Sequence, residues 1–419
     1  MAGSRSSISV IVAVFAGGNL LNMVLRLAGG VLTARYAAPA VLGLFNGMGL
    51  ILGYASFLQL GILNGLNREL PYYIGQDDRP RAESLAAAGQ AWALLIGGAG
   101  AGVLLVLAAW YAAGGQLKLA AGWVTYAVSL FLLFYSQLYL QTTYRTGGDF
   151  ARLSAINVVQ NGLAFVLVGL VWLFGFYGLC LRLALMGAAG MVLLWYWRPL
   201  KVGPHWDRRH LVHLLKIGAP IFLVGQLYAW WIVLDCTLVL KFAGVKSLGL
   251  YQLSVMAGLA VETLPMAVSQ ILYPKMSEEY GRTRSVRRLV ALSVKPVVAT
   301  ILCMVPIVSI CWLLLPLAVN LLMPNYAEGI EASRWAVVVA ATMAIAPVNN
   351  VFNVVKRQDL YLAAVIGGMV VYYGVLLLLN RGGVALVHFP QAMLAGRVFF
   401  LVTSYLAVIF LYRCGIEKE

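Results

Sequence analysis

Three polar side chains in the first long apolar stretch of the chain could together bind an anion. Asn19, Asn22 and Arg26 follow one another at spacings of three and four residues, so one face of a helix would carry all of them. A guanidinium stays charged throughout the physiological pH range, and its planar fork can hold two phosphate oxygens at once. The pattern therefore predicts an anion site that includes Arg26. The alternative is a buried ion pair between Arg26 and Asp235 or Glu262.

Asp235 and Glu262 lie in later apolar stretches and could bind a small cation, with H+ and Na+ both open. An ionised side chain deep in an apolar medium is unfavourable unless it is paired or hydrated, so each needs a physical reason. The alternative is that the two carboxylates only neutralise Arg26, Lys295 or Arg397. Lys295 and Arg397 also lie in apolar stretches, and we predict that both join Arg26 at the anion site.

Arg182 and Arg334 lie nearer the ends of their apolar stretches. A long basic side chain near the end of a membrane helix can extend toward water. We expect both arginines to reach the outer surface in this way.

The elements that position these residues must be membrane helices. The chain has 419 residues, of which 62% are hydrophobic and 11% charged, whereas soluble domains carry about 25% charged residues. A spanning helix needs about 20 mainly apolar residues. We predict about twelve spans, at residues 8–34, 40–66, 84–112, 117–144, 150–174, 176–197, 211–242, 246–273, 286–316, 326–354, 358–380 and 385–412.

Cysteine usage gives no sign of a metal or cofactor. The five cysteines are scattered, and their spacing matches neither a metal site nor a disulfide framework. We interpret them as small apolar packing residues and expect no metal and no cofactor.

Basic residues are distributed unequally between the two sets of alternating loops. Of the 30 lysines and arginines, 20 fall on the side that holds both termini and five on the other side. The positive-inside rule then predicts that both termini are cytoplasmic, in the inner (plasma) membrane. The same asymmetry accounts for most of the net charge of +15, so we expect no nucleic-acid partner.

Two segments that lie 206 residues apart share one pattern. Residues 35–37 and 42–46 read Arg-Tyr-Ala and Leu-Gly-Leu-Phe-Asn, and residues 241–243 and 248–252 read Lys-Phe-Ala and Leu-Gly-Leu-Tyr-Gln. Each segment joins the first and second spans of one half of the chain. Because each half has an even number of spans, the halves have the same orientation and form a parallel repeat.

The repeat predicts two parallel six-helix bundles around a central cavity, in an all-α integral membrane protein. We expect an N-terminal bundle at 1–200, a cytoplasmic linker at 201–210 and a C-terminal bundle at 211–419. Two such bundles are suited to alternating access.

The stretch from Arg35 to Gly75 resembles polysaccharide and O-antigen flippases of the multidrug/oligosaccharidyl-lipid/polysaccharide exporter (MOP) superfamily. The resemblance lies in the Arg-Tyr-Ala and Leu-Gly-Leu-Phe turn, in Leu-Gly-Ile at 60–62, and in Arg68 and Pro71. Chain length and the twelve-span plan extend it over the whole chain.

The resemblance implies a lipid-linked oligosaccharide as the substrate. It would be built on polyprenyl diphosphate and flipped from the cytoplasmic to the outer leaflet for cell-surface polysaccharide assembly, with other polysaccharide-assembly proteins as partners. Arg26 and its neighbours would then bind the diphosphate. Asp235 and Glu262 would bind the coupling ion.

A second polar face fits the sugar. Gln137, Gln141 and Tyr144 share one face of a straight α-helix. Amides and phenols can bond sugar hydroxyls, although they also join helices inside membranes. We predict sugar contacts here, with helix–helix bonding as the alternative.

Two other functions compete with a flippase. An ion-coupled multidrug exporter of the same superfamily would need an acidic cavity. Deep inside the spans, more than five residues from either end, basic residues instead outnumber acidic ones five to two. A membrane polysaccharide polymerase would need a long outer loop, and every predicted outer loop is short. We therefore expect a transporter and not an enzyme.

Overall fold

The computed structural model of the chain describes residues 21–147, 149–355 and 357–414. Every regular element in these ranges is a helix, which confirms the predicted all-α class. Asn19, one of the predicted anion-site residues, lies outside the described residues.

Nine α-helices are described before residue 197. They are α1 (21–36), α2 (Pro39–Ala55), α3 (Ile62–Gly75), α4 (Arg79–Ala113), α5 (Leu117–Leu132), α6 (Gln141–Thr146), α7 (Phe150–Val166), α8 (Val168–Phe174) and α9 (Phe176–Tyr196). A 3-10 turn at Ser56–Gln59 extends α2, and a π-helical segment at Leu133–Leu140 joins α5 to α6.

The rest of the described chain continues in the same way. Its helices are α10 (Arg208–Thr283), α11 (Val286–Leu322), α12 (Ile330–Ala341), α13 (Asn350–Val354), α14 (Gln358–Leu379) and α15 (His388–Cys414). Short 3-10 segments lie at Pro324–Gly329, Thr342–Asn349 and Asn380–Gly382.

Ten helical stretches among the described residues are long and apolar enough to cross a membrane. One of them, Gly225–Thr283, contains Gly244, whose φ of 88° and ψ of 179° break α10 into two helices. The whole of α10, Arg208–Thr283, therefore accommodates the two predicted spans 211–242 and 246–273. The predicted first span, 8–34, lies only partly within the described residues. The architecture agrees with the predicted plan and is that of a multi-pass membrane protein.

Exposed apolar side chains cover the long helices, as expected where lipid is the solvent. On α4, for example, Val103, Val106 and Trp110 are 69%, 72% and 77% exposed. Apolar residues in such number on the outside of a soluble protein would drive aggregation. Their solvent is the hydrocarbon core of a bilayer.

The predicted loop between the second and third spans is helical instead. Residues 67–75 belong to α3, and α4 already begins at Arg79. Apolar residues of α3 recur at helical spacing, and Ile62, Leu66 and Leu70 are almost fully buried. The chain turns sharply before α3 because Leu60 and Gly61 both have positive φ, 52° and 90°.

The chain separates into two compact units. The first unit comprises residues 21–37 and Phe45–Gln226, and the second comprises Ala38–Leu44 and 227–414. The domain boundaries expected from the sequence, with a linker at 201–210, stay a prediction.

The repeated glycines, Gly43 and Gly249, meet backbone to backbone within the second unit. A Cβ atom on Gly43 would overlap the carbonyl of Val245, and one on Gly249 would overlap the carbonyl of Pro39. Val245 and Pro39 are themselves 206 residues apart, so the contact is reciprocal. Glycine at both positions allows this close approach of the two backbones. The parallel orientation of the repeat stays a prediction.

Candidate functional site

A buried ion pair lies inside the second unit. Arg397 of α15 is 3% exposed, and its Nη2 lies 3.3 Å from Oε1 of Glu262 on α10. Glu262 is also buried. Two opposite charges removed from water together hold each other in place, because either one alone would be strongly destabilised.

Aromatic and sulfur groups surround the guanidinium of Arg397. Its centre lies 5.1 Å from the ring centroid of Tyr228 and 5.8 Å from that of Trp231. Its Nη1 donates to the Tyr228 hydroxyl and lies 2.7 Å from Sδ of Met343. Ring faces attract a cation where water is scarce. Nε of Arg397 is buried and has no hydrogen-bond partner among the described residues.

Asp235 forms the second part of the site. It is 5% exposed, and each of its carboxylate oxygens accepts a hydrogen bond from a tyrosine hydroxyl, Oδ2 from Tyr251 and Oδ1 from Tyr372, both at 2.7 Å. None of the ion pairs in the described part of the chain includes Asp235. The two phenols therefore take the place of a counter-ion.

One small cavity connects the two carboxylates. Its volume is about 70 Å³, and its lining includes Asp235, Tyr251, Ser254, Glu262 and Arg397. A buried water needs at least ~10–15 Å³ on this measure, so a few waters or one partly hydrated ion fit. Sites for larger organic ligands occupy roughly 300–1,000 Å³, so a sugar diphosphate does not fit.

The structure bears differently on the roles predicted for the two carboxylates and for Arg397. Asp235 and Glu262 do line one cavity, whose remaining lining is mostly apolar, and their role as ion ligands stays a prediction. Glu262 also neutralises Arg397, which was the alternative for that carboxylate. Glu262 already neutralises the charge of Arg397. The role of Arg397 as an anion ligand therefore stays a prediction, and it requires this ion pair to open.

On α1 the two described residues of the predicted anion face, Asn22 and Arg26, lie in different environments. Asn22 is buried and accepts a hydrogen bond from Nδ2 of Asn161 at 3.1 Å, so it joins α1 to α7. Arg26 is exposed, and the described part of the chain offers its side chain no ion pair or hydrogen bond. Lys295 on α11 is likewise exposed. Arg26 and Lys295 are therefore open to a ligand, whereas Asn22 is not.

The predicted sugar face is not a single face. Gln137 is exposed, Gln141 is half-buried and accepts from Arg145 at 3.3 Å, and Tyr144 is fully buried. The π-helical segment before α6 causes this, because it winds more than 3.6 residues into each turn and rotates the later side chains. The hydroxyl of Tyr144 donates to the Leu194 carbonyl at 2.9 Å. Tyr144 is thus a helix–helix contact, which corrects its sugar role.

The two arginines expected to reach the outer surface turn toward the protein instead. Arg182 donates to the carbonyl of Ala164 and to the hydroxyl of Thr33, both at 2.7 Å. Arg334 donates to the carbonyl of Trp312 at 3.0 Å. Both guanidinium groups are therefore hydrogen-bonded to protein acceptors.

Tyr251, Tyr372 and Met343 are among the residues of the second-unit site that the sequence did not indicate. Tyr251 occupies the aromatic position of the repeated turn, which was the one available signal. Tyr372 and Met343 belong to distant helices, and nothing in their local sequence sets them apart.

A family model described as "Polysaccharide biosynthesis protein" matches residues 74–326, more than half of the chain. No curated protein sequence matches the chain significantly.

Solved structures resemble the chain over nearly its whole length. An inward-facing multidrug resistance MATE family transporter of the MOP superfamily has a TM-score of 0.76 and 16% identity, with 94% of this chain and 95% of that chain covered. An outward-facing one has a TM-score of 0.66 and 16% identity, covering 96% and 95%. A MOP superfamily transporter from Pyrococcus furiosus Vc1 has a TM-score of 0.66 and 16% identity, covering 96% and 94%. The chain therefore has the two-lobed fold of these transporters.

Proposed function

Since the chain belongs to the polysaccharide biosynthesis protein family, we propose that it is a flippase for a polyprenyl-diphosphate-linked oligosaccharide. It carries this lipid from the cytoplasmic to the outer leaflet of the inner membrane, for assembly of a cell-surface polysaccharide such as O-antigen. It acts as a transporter and catalyses no reaction.

The distribution of paired and unpaired charge carries this proposal. The two acidic groups deep within the spans are occupied inside the second unit, Glu262 by Arg397 and Asp235 by two phenols. Arg26 and Lys295 are exposed. The charges left for a ligand are therefore positive, which favours a diphosphate over a cationic drug.

The fold is compatible with cargoes of either charge. The MOP superfamily transporter from Pyrococcus furiosus is described as having a binding pocket of reversed polarity that suggests a different function. Related transporters occur in inward-facing and outward-facing conformations. We infer that this chain alternates between the same two states.

The ion that drives the cycle, H+ or Na+, binds in the cavity between Asp235 and Glu262. The volume of about 70 Å³ suits one small ion with a little water. An ion bound to Glu262 would weaken its attraction for Arg397 and so change the packing of α10 against α15. Both termini face the cytoplasm on the strength of the basic loops.

The test is flipping of a fluorescent polyprenyl-diphosphate sugar by the purified protein in proteoliposomes. Arg26→Ala should abolish flipping, and Arg26→Lys should restore it only in part, because an ammonium lacks the bidentate fork. Lys118→Ala is a matched control, since Lys118 is a basic residue on the opposite side.

Two results would contradict the proposal. One is normal flipping by a correctly folded Arg26→Ala protein. The other is efflux of a cationic dye in the same vesicles without flipping of the lipid-linked sugar, which would identify a multidrug exporter.

A further inference from the structure

A larger cavity, of about 440 Å³, lies in the first unit and is separate from the buried ion pair. Four segments form it, namely the end of α3, the first turns of α4, the end of α6 and residues 199–201 after α9. Its volume lies within the roughly 300–1,000 Å³ typical of ligand sites.

The cavity is at the level where spans end. Arg79 is the first residue of one candidate span and Thr146 the last of another, and residues 199–201 closely follow a third that ends at Tyr196. The aromatic residues 195–197 are all exposed. Exposed tryptophan and tyrosine at the end of a span mark the boundary between hydrocarbon and headgroups.

The charge of the cavity is positive. Arg79 and Lys201 line it, together with one carboxylate, Glu83. In the described ranges neither cation takes part in an ion pair. The hydroxyls of Thr143 and Thr146 are not aimed at an anion, because each donates to a backbone carbonyl of its own helix.

Part of the lining is apolar. Leu70, Ile74, Pro199 and Leu200 contribute to it, and Ile74 is 37% exposed. These apolar residues would not contribute to the binding free energy of inorganic phosphate. A phospholipid places a phosphate next to glycerol and the first methylenes of its chains, and therefore suits both parts of the lining.

We propose that this cavity binds the phosphate headgroup of an anionic phospholipid of the cytoplasmic leaflet. Anionic lipids are attracted to basic residues at that surface, and the assignment of the surface rests on the proposed orientation. The lipid also contacts residues 199–201, which lead from α9 to α10. Its binding would hold this connecting segment against the first unit.

The test is lipid binding by the full-length protein in detergent, measured by native mass spectrometry. Phosphatidylglycerol and phosphatidylcholine with identical acyl chains are titrated against the parent and the double variant Arg79→Gln/Lys201→Gln. We expect the variant to bind phosphatidylglycerol about 25-fold more weakly, roughly fivefold for each cation removed. Binding of phosphatidylcholine should not change.

A matched control removes two cations from the other unit. Lys275 and Arg282 are exposed and lie on the same predicted side of the membrane. Lys275→Gln/Arg282→Gln should bind phosphatidylglycerol like the parent. If the double variant does not fold, Lys201→Gln alone replaces it, because Lys201 lies outside every helix, and a fivefold loss is expected.

Three outcomes would overturn the proposal. They are unchanged phosphatidylglycerol binding by the Arg79/Lys201 variant, an equal loss in the control variant, and displacement of the lipid by an equal concentration of inorganic phosphate. Flipping plays no part in this measurement, so its result is independent of the proposed transport function.

Discussion

Arg182 in the first unit and Arg397 in the second are both embedded among helices, but their partners differ in kind. Arg182 donates to the carbonyl of Ala164 and the hydroxyl of Thr33. Among the described residues no carboxylate pairs with it. Arg397 is paired with Glu262 and lies over two aromatic rings.

The repeat shows where the difference arises. The residues 206 positions before Asp235 and Glu262 are Gly29 and Ser56, neither of which can ionise. A Cβ atom on Gly29 would lie 3.3 Å from Nη2 of Arg182. The first unit therefore has no carboxylate at either position, and an arginine lies beside one of them.

The difference between these partners determines which unit can respond to an ion. Carbonyl and hydroxyl acceptors carry no charge to lose, so the contacts of Arg182 are the same at any pH or Na+ concentration. The partner of Arg397 can be neutralised. We therefore expect ion-dependent changes to begin in the second unit.

The largest expected effect comes from Glu262→Gln. This change leaves Arg397 buried without a counter-charge, which should destabilise the protein by about 3–5 kcal/mol. Thermal unfolding in detergent measures it. The double variant Glu262→Gln/Arg397→Met should recover most of the stability, and a Glu262→Gln protein as stable as the parent would show that the pair is not needed.

Tyr372→Phe should have the next largest effect. It removes one of the two hydroxyls that donate to Asp235, and a hydrogen bond to a charged group contributes about 1.5–3 kcal/mol. The loss should be smaller when Asp235 is also changed to Asn, because the carboxylate charge is then gone. Additive losses in this double-mutant cycle would argue against the contact.

Thr33→Val should have a smaller effect, near the lower end of the same range of about 1.5–3 kcal/mol, because Arg182 keeps the Ala164 carbonyl. The informative readout is flipping as a function of pH or Na+. If the first unit is static, the variant should keep the ion dependence of the parent, whereas Glu262→Gln should lose it. A shifted ion dependence in Thr33→Val would remove the distinction between the two units.

The smallest effect is expected at Asp207, a half-buried carboxylate outside the candidate spans, which gives a baseline for the buried carboxylates. Asp207 accepts from the backbone N–H of Arg209 at 2.8 Å and of His210 at 3.3 Å. These bonds hold the pKa of Asp207 below its usual value, so the stability that they add is present above about pH 4 and is lost as the pH falls further. Asp207→Ala should slightly lower the unfolding temperature at pH 7, and this difference should shrink below pH 4. A difference that does not change with pH would show that the carboxylate charge is not involved.

The membrane helices and their approximate limits could be predicted, because long apolar runs with few charges have one solution in lipid. The same patterning failed at residues 67–75, where charged residues suggested a loop and buried apolar residues form α3. Glycine at positions 43 and 249 has a structural reason, since a Cβ at either position would overlap a backbone carbonyl, but their equivalence in the repeat stays a prediction.

The candidate site was only half accessible to sequence reasoning. Asp235, Glu262 and Arg397 could be recognised as ionisable groups in apolar stretches, where a charge is unfavourable unless it is paired or hydrated. Their partners could not be assigned, because Tyr372 is 137 residues from Asp235 and Arg397 is 135 from Glu262. The prediction that Gln137, Gln141 and Tyr144 share one face was wrong because it assumed α-helical spacing. Residue spacing alone does not reveal the π-helical segment at Leu133–Leu140.

Sequence patterns alone predict that the chain is embedded in a membrane, that it is helical, that it contains a repeat and that the charges deep within its spans are mainly positive. These properties follow from composition and from local periodicity, which each segment carries independently of the others. Which of these charges are neutralised depends on the tertiary structure. It pairs Arg397 with Glu262, surrounds Asp235 with phenols, gives Arg182 neutral acceptors and leaves Arg26 exposed. Such pairing depends on which helices pack together and how each is rotated, and that is a property of the whole bundle.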